Sequence, residues 1–153
     1  MRKEKNRKQK IREKEKQNIP DITEKLEGKR ILLAEDNELN AEIAETVLVE
    51  AGIEVKRVED GLQCIEELKK MPENYYDVIL MDVQMPNMDG YTATQRIRDL
   101  DDSRAEIPII AMTANAYDED RRKAQEAGMD GFLAKPLDVD EMMRLLGKIT
   151  KTE

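Results

Sequence analysis

A short apolar run followed by a longer helical segment recurs five times in this chain, and this alternation leaves few folds open. The apolar runs cover residues 31–34, 53–58, 78–81, 108–112 and 131–134. Strands that alternate with helices require crossover connections, which make the strands parallel and place helices on both faces of the sheet. The sequence therefore predicts an α/β domain built on a doubly wound, five-stranded parallel sheet.

The helical segments differ in how many apolar residues they can bury. Three of them carry an apolar stripe at helical spacing, and the stripes consist of Ile43, Ala44, Val47, Leu48 and Ala51; Leu62, Ile65 and Leu68; and Met142, Leu145, Leu146 and Ile149. Cys64 lies beside the second stripe and is predicted to be buried. The fourth helix, predicted at about residues 118–127, has little beyond alanine on its inner side, so we expect loose packing there.

The first 28 residues have a different composition from the rest of the chain. Residues 1–18 contain nine Lys or Arg and three Glu but only two apolar side chains, so they carry no amphipathic stripe. We interpret residues 1–28 as a basic, flexible arm or linker, residues 29–150 as the folded domain and residues 151–153 as a tail. Binding of nucleic acid or of an anionic membrane by the arm is the alternative, although the arm has no aromatic residue for base stacking.

Composition removes several classes of function. The 153 residues include no histidine and one cysteine, which excludes histidine-based catalysis, cysteine-based zinc sites and a phosphohistidine within this chain. No apolar run approaches the roughly 20 residues that a membrane-spanning helix needs. We therefore expect a cytoplasmic chain without membrane insertion, whose chemistry depends on carboxylates, hydroxyls, lysine and hard cations.

Polar side chains follow four of the five predicted strands at the point where each strand ends. Glu35 and Asp36 follow the first strand, Asp82 the third, Thr113 the fourth and Lys135 the fifth. Parallel sheets bind ligands outside the carboxyl ends of their strands. Three carboxylates at this edge would repel one another unless a cation joined them, and an all-oxygen ligand set suits Mg²⁺, with Mn²⁺ as a substitute.

A carboxylate can also attack phosphorus, and Asp82 is the candidate nucleophile because its strand is central.

Four short motifs together resemble the receiver domain of two-component response regulators, the CheY-like family. They are Glu35-Asp36, the stretch MDVQMPNMDG at residues 81–90, Met112-Thr113-Ala114 and Lys135-Pro136. The resemblance extends from about residue 30 to residue 149 and is strongest to the C-terminal receivers of hybrid histidine kinases. It implies a flavodoxin-like (βα)5 fold with strand order 2-1-3-4-5 and a cis peptide bond before Pro136.

The resemblance also implies a role for each residue at the sheet edge. Asp82 would accept the phosphoryl group, with Lys135 and Thr113 contacting its oxygens. Glu35, Asp36, Asp82 and the backbone carbonyl of Gln84 would hold Mg²⁺. Thr113 and Phe132 would form the conformational switch, and Gln84 with Asn115 would tune the lifetime of the acyl phosphate.

Partners and context follow from the same resemblance. A histidine kinase or a histidine-phosphotransfer protein would donate or accept the phosphoryl group, since this chain has no histidine of its own. We expect no DNA-binding domain after Lys135, no nucleic-acid contact by the receiver itself, and a monomer or a weak dimer through the fourth helix, fifth strand and fifth helix. Residues 1–28 would be an interdomain linker, and the receiver would belong to the cytoplasmic part of a membrane-bound hybrid kinase.

Other classes of protein share parts of this pattern. A stand-alone single-domain regulator and a phosphorylation-independent interaction module both fit the same fold. A phosphatase of the haloacid dehalogenase type would need an aspartate where Gln84 stands, and a flavodoxin-like carrier would not place acids at residues 35–38 beside a flavin phosphate. Taken alone, Asp36 could simply cap a helix, and Asp89-Gly90 is read as turn chemistry without a catalytic role. Whether the chain counts as an enzyme, beyond self-catalysed phosphorylation and dephosphorylation, is left open.

Overall fold

The structure, a computed structural model, describes residues 26–114 and 118–150. Its centre is a parallel sheet of five strands in the order β2-β1-β3-β4-β5. The strands are β1 (Arg30–Ala34), β2 (Glu54–Val58), β3 (Val78–Asp82), β4 (Ile109–Thr113) and β5 (Gly131–Ala134). The predicted fold class and strand order are confirmed.

In the described part of the chain, five α-helices connect and cover the strands. They are α1 (Glu38–Glu50), α2 (Gly61–Lys70), α3 (Gly90–Arg98), α4 (Asp118–Ala127) and α5 (Val139–Ile149), and a short 3₁₀ helix at Ser103–Glu106 precedes β4. Four of the α-helices begin at a side chain that accepts a hydrogen bond from the backbone of the first turn, namely Asn37, Asp60, Asp89 and Asp138. Such caps satisfy backbone N–H groups that have no partner within the helix.

The sheet separates two apolar cores, because neighbouring residues of a strand point to opposite faces. On one face, Leu33, Leu80 and Ile110 pack with residues of α1 and α5. On the other face, Leu32 and Ile79 pack with residues of α2, α3 and α4. Every residue of the central strand β3 and of its neighbour β4 is buried, so these two strands are the most enclosed part of the sheet.

Two predicted core positions on the helices are wrong. Ile43 on α1 is 53% exposed and Leu62 on α2 is 44% exposed, whereas the sequence placed both on inner faces. The inner face of α1 is instead formed by Ala41, Ala44 and Leu48, which follow one another at the three- and four-residue spacing of one helix face. Cys64, by contrast, is fully buried as predicted, and the same burial raises the pKa of its thiol to about 12.

The register of the strands brings the predicted site residues to one edge. Ala34 pairs with Met81, Asp82 pairs with Met112, and Thr113 pairs with Ala134. The residues that end β1, β3, β4 and β5 therefore stand side by side at the carboxyl edge of the sheet.

Most of the proposed arm, the tail and part of the loop after β4 fall outside the described residues. Of the arm, residues 26–28 are described, and Leu26 is buried in the apolar core on the side of α1 and α5. Predictions about residues 1–25, 151–153 and Asn115 are accordingly not addressed by the fold. Within the part of the chain that the structure describes, no helix has the length and apolar character needed to cross a membrane.

Candidate phosphoacceptor and metal site

Three carboxylates meet at the carboxyl edge of the sheet. Glu35, Asp36 and Asp82 each offer an oxygen within 4.8 Å of the oxygens of the other two. Glu35 and Asp82 are buried, at 2% and 4% exposure, while Asp36 faces solvent. The predicted acids are thus brought together, with Asp36 on the solvent side, and their carboxylate oxygens are the type of ligand that a hard divalent cation prefers.

Lys135 lies within this cluster and joins two of its acids. Its Nζ donates hydrogen bonds to Glu35 Oε1 at 2.5 Å and to Asp82 Oδ2 at 3.0 Å, and its side chain is 18% exposed. The peptide bond between Lys135 and Pro136 is cis, as the resemblance implies. A backbone hydrogen bond from Lys135 to the carbonyl of Thr113 holds the loop that follows β5 against the end of β4.

Burial and crowding change the acid–base properties of this pocket. Burial raises the pKa of Glu35 to about 7, and its contact with Asp82 adds to the shift while Lys135 opposes it. For Lys135, burial lowers the pKa, but its hydrogen bonds to Glu35 and Asp82 outweigh this and leave the pKa above the usual value. With three acids and Lys135, the pocket disfavours the ionised form of Glu35, and an additional cation would stabilise that form.

Backbone contacts fix the loop that carries the first two acids. Arg57 on β2 donates from its guanidinium to the carbonyls of Glu35, at 3.1 Å, and Asp36, at 3.2 Å. The Glu35 amide donates to the carbonyl of Val58, and Asn37 then caps α1. The backbone of Glu35 and Asp36 is therefore held by β2 on one side and by the start of α1 on the other, and this fixes the position of both carboxylates.

The loop after β3 carries another predicted ligand, the carbonyl of Gln84. The amide N–H of Gln84 donates to Asp82 Oδ1 at 3.2 Å, so the backbone nitrogen of this residue lies beside the acid cluster. The loop then returns closely to the strand, because the amide of Gly90 donates to the carbonyl of Val83. A Cβ at Gly90 would collide with the backbone carbonyl of Asp82, so only glycine permits this approach.

Two residues of the proposed switch lie on the β4 and β5 side of the site. Thr113 is buried, at 4% exposure, at the end of β4. Phe132 on β5 is half-buried, and the guanidinium of Arg121 on α4 lies 5.4 Å from the centre of its ring. The structure thus brings Thr113 to the same edge as the acids, with Phe132 on the neighbouring strand under α4; their roles stay predictions.

Two polar residues near the site were missed by sequence reasoning. Asp60, which caps α2, is 5% exposed and accepts a hydrogen bond from the side chain of Asn87 in the loop after β3. The signal was present, since Asp60-Gly61 follows the second strand in the same way as the acids follow β1 and β3. Only the fold reveals that its partner lies 27 residues away.

A groove beside the acids has an apolar wall. Its volume is about 390 Å³, and it is lined by Glu35, Asn40, Ile43, Ala114, Lys135, Pro136 and Leu137. The exposed position of Ile43, together with Leu39 at 64% exposure one helical turn away, gives α1 an apolar patch next to the open side of the pocket.

A parallel (βα)5 sheet with a carboxylate cluster and a lysine at the ends of its strands defines a receiver-type α/β domain. The chain belongs to the response regulator receiver domain family, whose model matches residues 31–147.

Relatives and solved structures agree with this membership. The chain is 40% identical over 124 residues to the peroxide stress-activated histidine kinase mak1 of Schizosaccharomyces pombe; the match covers 80% of this chain and 8% of that kinase. The receiver domain of sensor histidine kinase PA1611 from Pseudomonas aeruginosa, solved with magnesium coordinated in its active site cleft, is similar at 41% identity, with a TM-score of 0.73 and coverage of 82% and 99%.

A receiver from a phosphotransfer complex is also similar. The structure of the Saccharomyces cerevisiae histidine phosphotransfer protein Ypd1 with the receiver domain of Ssk1 matches at 26% identity and a TM-score of 0.75, covering 82% of this chain and 90% of the matched chain. The chain thus spans a small part of the curated kinase that it matches and nearly the whole of the isolated receivers.

Proposed function

We propose that this domain accepts a phosphoryl group on Asp82 from a phosphohistidine of another protein. The observation that carries the proposal is the juxtaposition, in one pocket, of the buried Asp82 with Glu35, Asp36 and the Nζ of Lys135. This arrangement supplies a nucleophile, a site for a cation and a fixed positive charge, all close enough to contact the same phosphoryl group.

The transfer forms one bond and breaks one bond. A carboxylate oxygen of Asp82 attacks phosphorus in line, while the electron pair of the N–P bond returns to the donor's imidazole, which takes a proton from solvent. Lys135 neutralises charge on the phosphoryl oxygens, and the Thr113 hydroxyl donates a hydrogen bond to one of them. Positioning and electrostatics supply most of the catalysis, because the site has no histidine to act as acid or base.

Glu35, Asp36, Asp82 and the carbonyl of Gln84 are proposed to hold Mg²⁺, or Mn²⁺ in its place. The residues fit such an ion, because all donors are oxygens and the acid cluster exceeds the charge of Lys135. When bound, the divalent cation screens the acids and stabilises charge on the transferring group. The PA1611 receiver, which was solved with magnesium in its cleft, supports the proposal.

The raised pKa of Glu35 gives a test of the metal site. Because cation and proton compete for the carboxylate, Mg²⁺ affinity should increase as the pH rises through about 7 and level off above it. In the Glu35→Gln variant this step should disappear while a weaker, flatter affinity remains. Calorimetric titration from pH 5.5 to 8.5 measures both, and identical pH profiles for the two proteins would contradict the assignment.

The partner and the output follow from the same site. We propose a histidine-phosphotransfer protein or a histidine kinase as the phosphodonor or acceptor, docking over the pocket and the apolar patch formed by Leu39 and Ile43. The Ypd1 complex with the Ssk1 receiver supports this choice.

The receiver is proposed to act as part of a hybrid histidine kinase on the cytoplasmic side of a membrane, with residues 1–28 as linker and residues 29–150 as the domain.

Phosphorylation is proposed to act through Thr113 and Phe132. Movement of the Thr113 hydroxyl toward the acyl phosphate would free space for the Phe132 ring, and so alter the surface of α4, β5 and α5. That surface is also the proposed contact of a weak dimer. Gln84 and Asn115, each two residues beyond Asp82 or Thr113, would set how fast water removes the phosphoryl group.

The acceptor is tested by incubation with a small-molecule phosphodonor, followed by intact mass measurement. We expect the wild-type chain with Mg²⁺ to gain the mass of one phosphoryl group, which hydroxylamine removes, as it does from acyl phosphates. The Asp82→Asn variant, which keeps the size of the side chain, should gain none, and neither should the wild type in EDTA. Labelling that persists in Asp82→Asn would refute the assignment.

A further inference from the structure

Asp60 lies outside the acid cluster but contacts the loop that follows the proposed phosphoacceptor. Its carboxylate is 5% exposed, and both oxygens have a partner: Oδ1 accepts from the backbone of Gln63, and Oδ2 accepts from the Asn87 amide, each at 2.8 Å. Asp60 does not belong to the group of acids that could share a metal ion, and its two contacts go to the start of α2 and to the loop after β3. Its available role is to hold Asn87.

A second contact joins the same two loops. The amide of Gly61 donates to the carbonyl of Met88 at 3.1 Å. A Cβ built on Gly61 would stand 2.6 Å from that carbonyl and 2.9 Å from the Cβ of Ala93, so the close approach depends on glycine. Asp60 and Gly61 thus contact two successive residues in the middle of the loop, whose ends are fixed by β3 and α3.

The backbone of Asn87 shows why the loop needs such a contact. Asn87 has φ of 65°, in the left-handed region that non-glycine residues adopt at a cost. Its side chain is exposed, so no apolar packing holds it there. The hydrogen bond to the buried Asp60 is the described side-chain contact that fixes it in this conformation.

We infer that Asp60 is a positioning residue for phosphoryl transfer, which acts through Asn87 to fix the loop carrying the Gln84 carbonyl at the metal site. This inference rests on the proposed function, because that carbonyl matters only if the pocket binds a cation. Residues that orient metal ligands from outside the coordination sphere typically change metal affinity by about 10–100-fold when they are replaced.

The Asn87→Asp variant breaks the pair by placing two carboxylates at hydrogen-bond distance. We expect Mg²⁺ to bind about tenfold more weakly, measured as the Kd from the NMR shift of the Gln84 amide. Simple electrostatics predicts the opposite, since an added negative charge near the site would strengthen cation binding. The direction of the change therefore separates loop position from bulk charge.

Exchanging donor and acceptor provides the rescue. In Asp60→Asn with Asn87→Asp, the amide on residue 60 can still accept from Gln63 through its oxygen and donate to the carboxylate on residue 87, and net charge equals that of the wild type. Mg²⁺ affinity should return to within about threefold of the wild-type value. Asp60→Asn alone should be mild, because the exposed Asn87 amide can rotate to present its oxygen.

Asn74 offers a matched control for the substitution itself. It has the same φ of 65°, is also exposed, and lies before β3 at the opposite end of the sheet. Asn74→Asp should leave the Kd for Mg²⁺ unchanged, even if it lowers thermal stability as much as Asn87→Asp does.

Phosphorylation rates complete the experiment. With a small-molecule phosphodonor, Asn87→Asp should need about tenfold more Mg²⁺ for half-maximal rate and should lose much less of its rate at saturating Mg²⁺. If Asn87→Asp binds Mg²⁺ as tightly as the wild type, or if the double variant binds no better than Asn87→Asp, the inference is overturned while the proposed function stands. If the wild type itself neither binds Mg²⁺ nor becomes phosphorylated, both fail.

Discussion

The helices on either side of β5 are held in very different ways. α5 buries Met142 and Leu146 against one face of the sheet, at 1% and 0% exposure. α4 covers the other face, and its buried residues are two alanines, Ala124 and Ala127. One helix is therefore anchored by large side chains, and the other by methyl groups.

The difference indicates which helix can respond to events at the acid pocket. Moving α5 would empty well-filled core volume, whereas moving α4 exposes little apolar surface. α4 also lies over Phe132 through Arg121 and follows the loop after β4, which begins beside Thr113. Weak anchoring thus coincides with the side of the domain on which the proposed switch residues lie.

The largest effect is expected from removing an anchor of α5. Leu146→Ala leaves a cavity in a fully buried site, and the free energy of unfolding should fall by about 2–5 kcal/mol in urea denaturation. A decrease below about 1 kcal/mol would show that α5 is no better anchored than α4.

A smaller effect is expected for α4. Ala124→Gly removes one buried methyl group and adds backbone freedom, so the free energy of unfolding should fall by about 1–2 kcal/mol. Amide hydrogen exchange should accelerate within α4 and stay unchanged in α5. Ala44→Gly on α1 is the matched control, since it removes the same buried methyl group from a helix on the other face of the sheet. If hydrogen exchange accelerated as much within α1 in this variant as within α4 in Ala124→Gly, the difference in anchoring between the two faces would be contradicted.

The smallest effect concerns the contact between α4 and β5. Arg121→Ala removes the guanidinium over the Phe132 ring, and stability should fall by about 0.5–1 kcal/mol. Arg122→Ala is the control, because Arg122 is an exposed neighbour whose ion pair with Glu126 is long, at 3.8 Å. Equal losses in the two variants would mean that the ring contact contributes nothing of its own.

The sequence predicted the sheet and its edge because both depend on local patterns. Strands such as residues 78–81 are continuous apolar runs, and polar residues directly after them must emerge at the carboxyl edge. The predicted fourth helix agrees with α4 at Asp118–Ala127, and its composition already shows that little beyond alanine is available to anchor it.

Side-chain exposure and long-range pairs were harder to predict. Ile43 fits an apolar stripe as well as Ala44 does, yet the buried row is Ala41, Ala44 and Leu48, and Ile43 lies about 100° around the helix from Ala44 and is left outside. The Asp60 contact with Asn87 depends on how two loops from different strands meet, which no local pattern encodes. Lys135 is predicted at the same edge of the sheet as the acids, but its hydrogen bonds to Glu35 and Asp82 are evident only in three dimensions.

The central claim is that one pocket unites a cation and a phosphoryl group on Asp82. A crystal structure grown with Mn²⁺ and beryllofluoride, a tetrahedral analogue of the phosphoryl group, tests it most directly. The account predicts an anomalous scattering peak among Glu35, Asp36 and Asp82, with the analogue bonded to an Asp82 oxygen and contacted by Thr113 and Lys135. A metal peak away from these acids, or an analogue bonded to any other side chain, would contradict it.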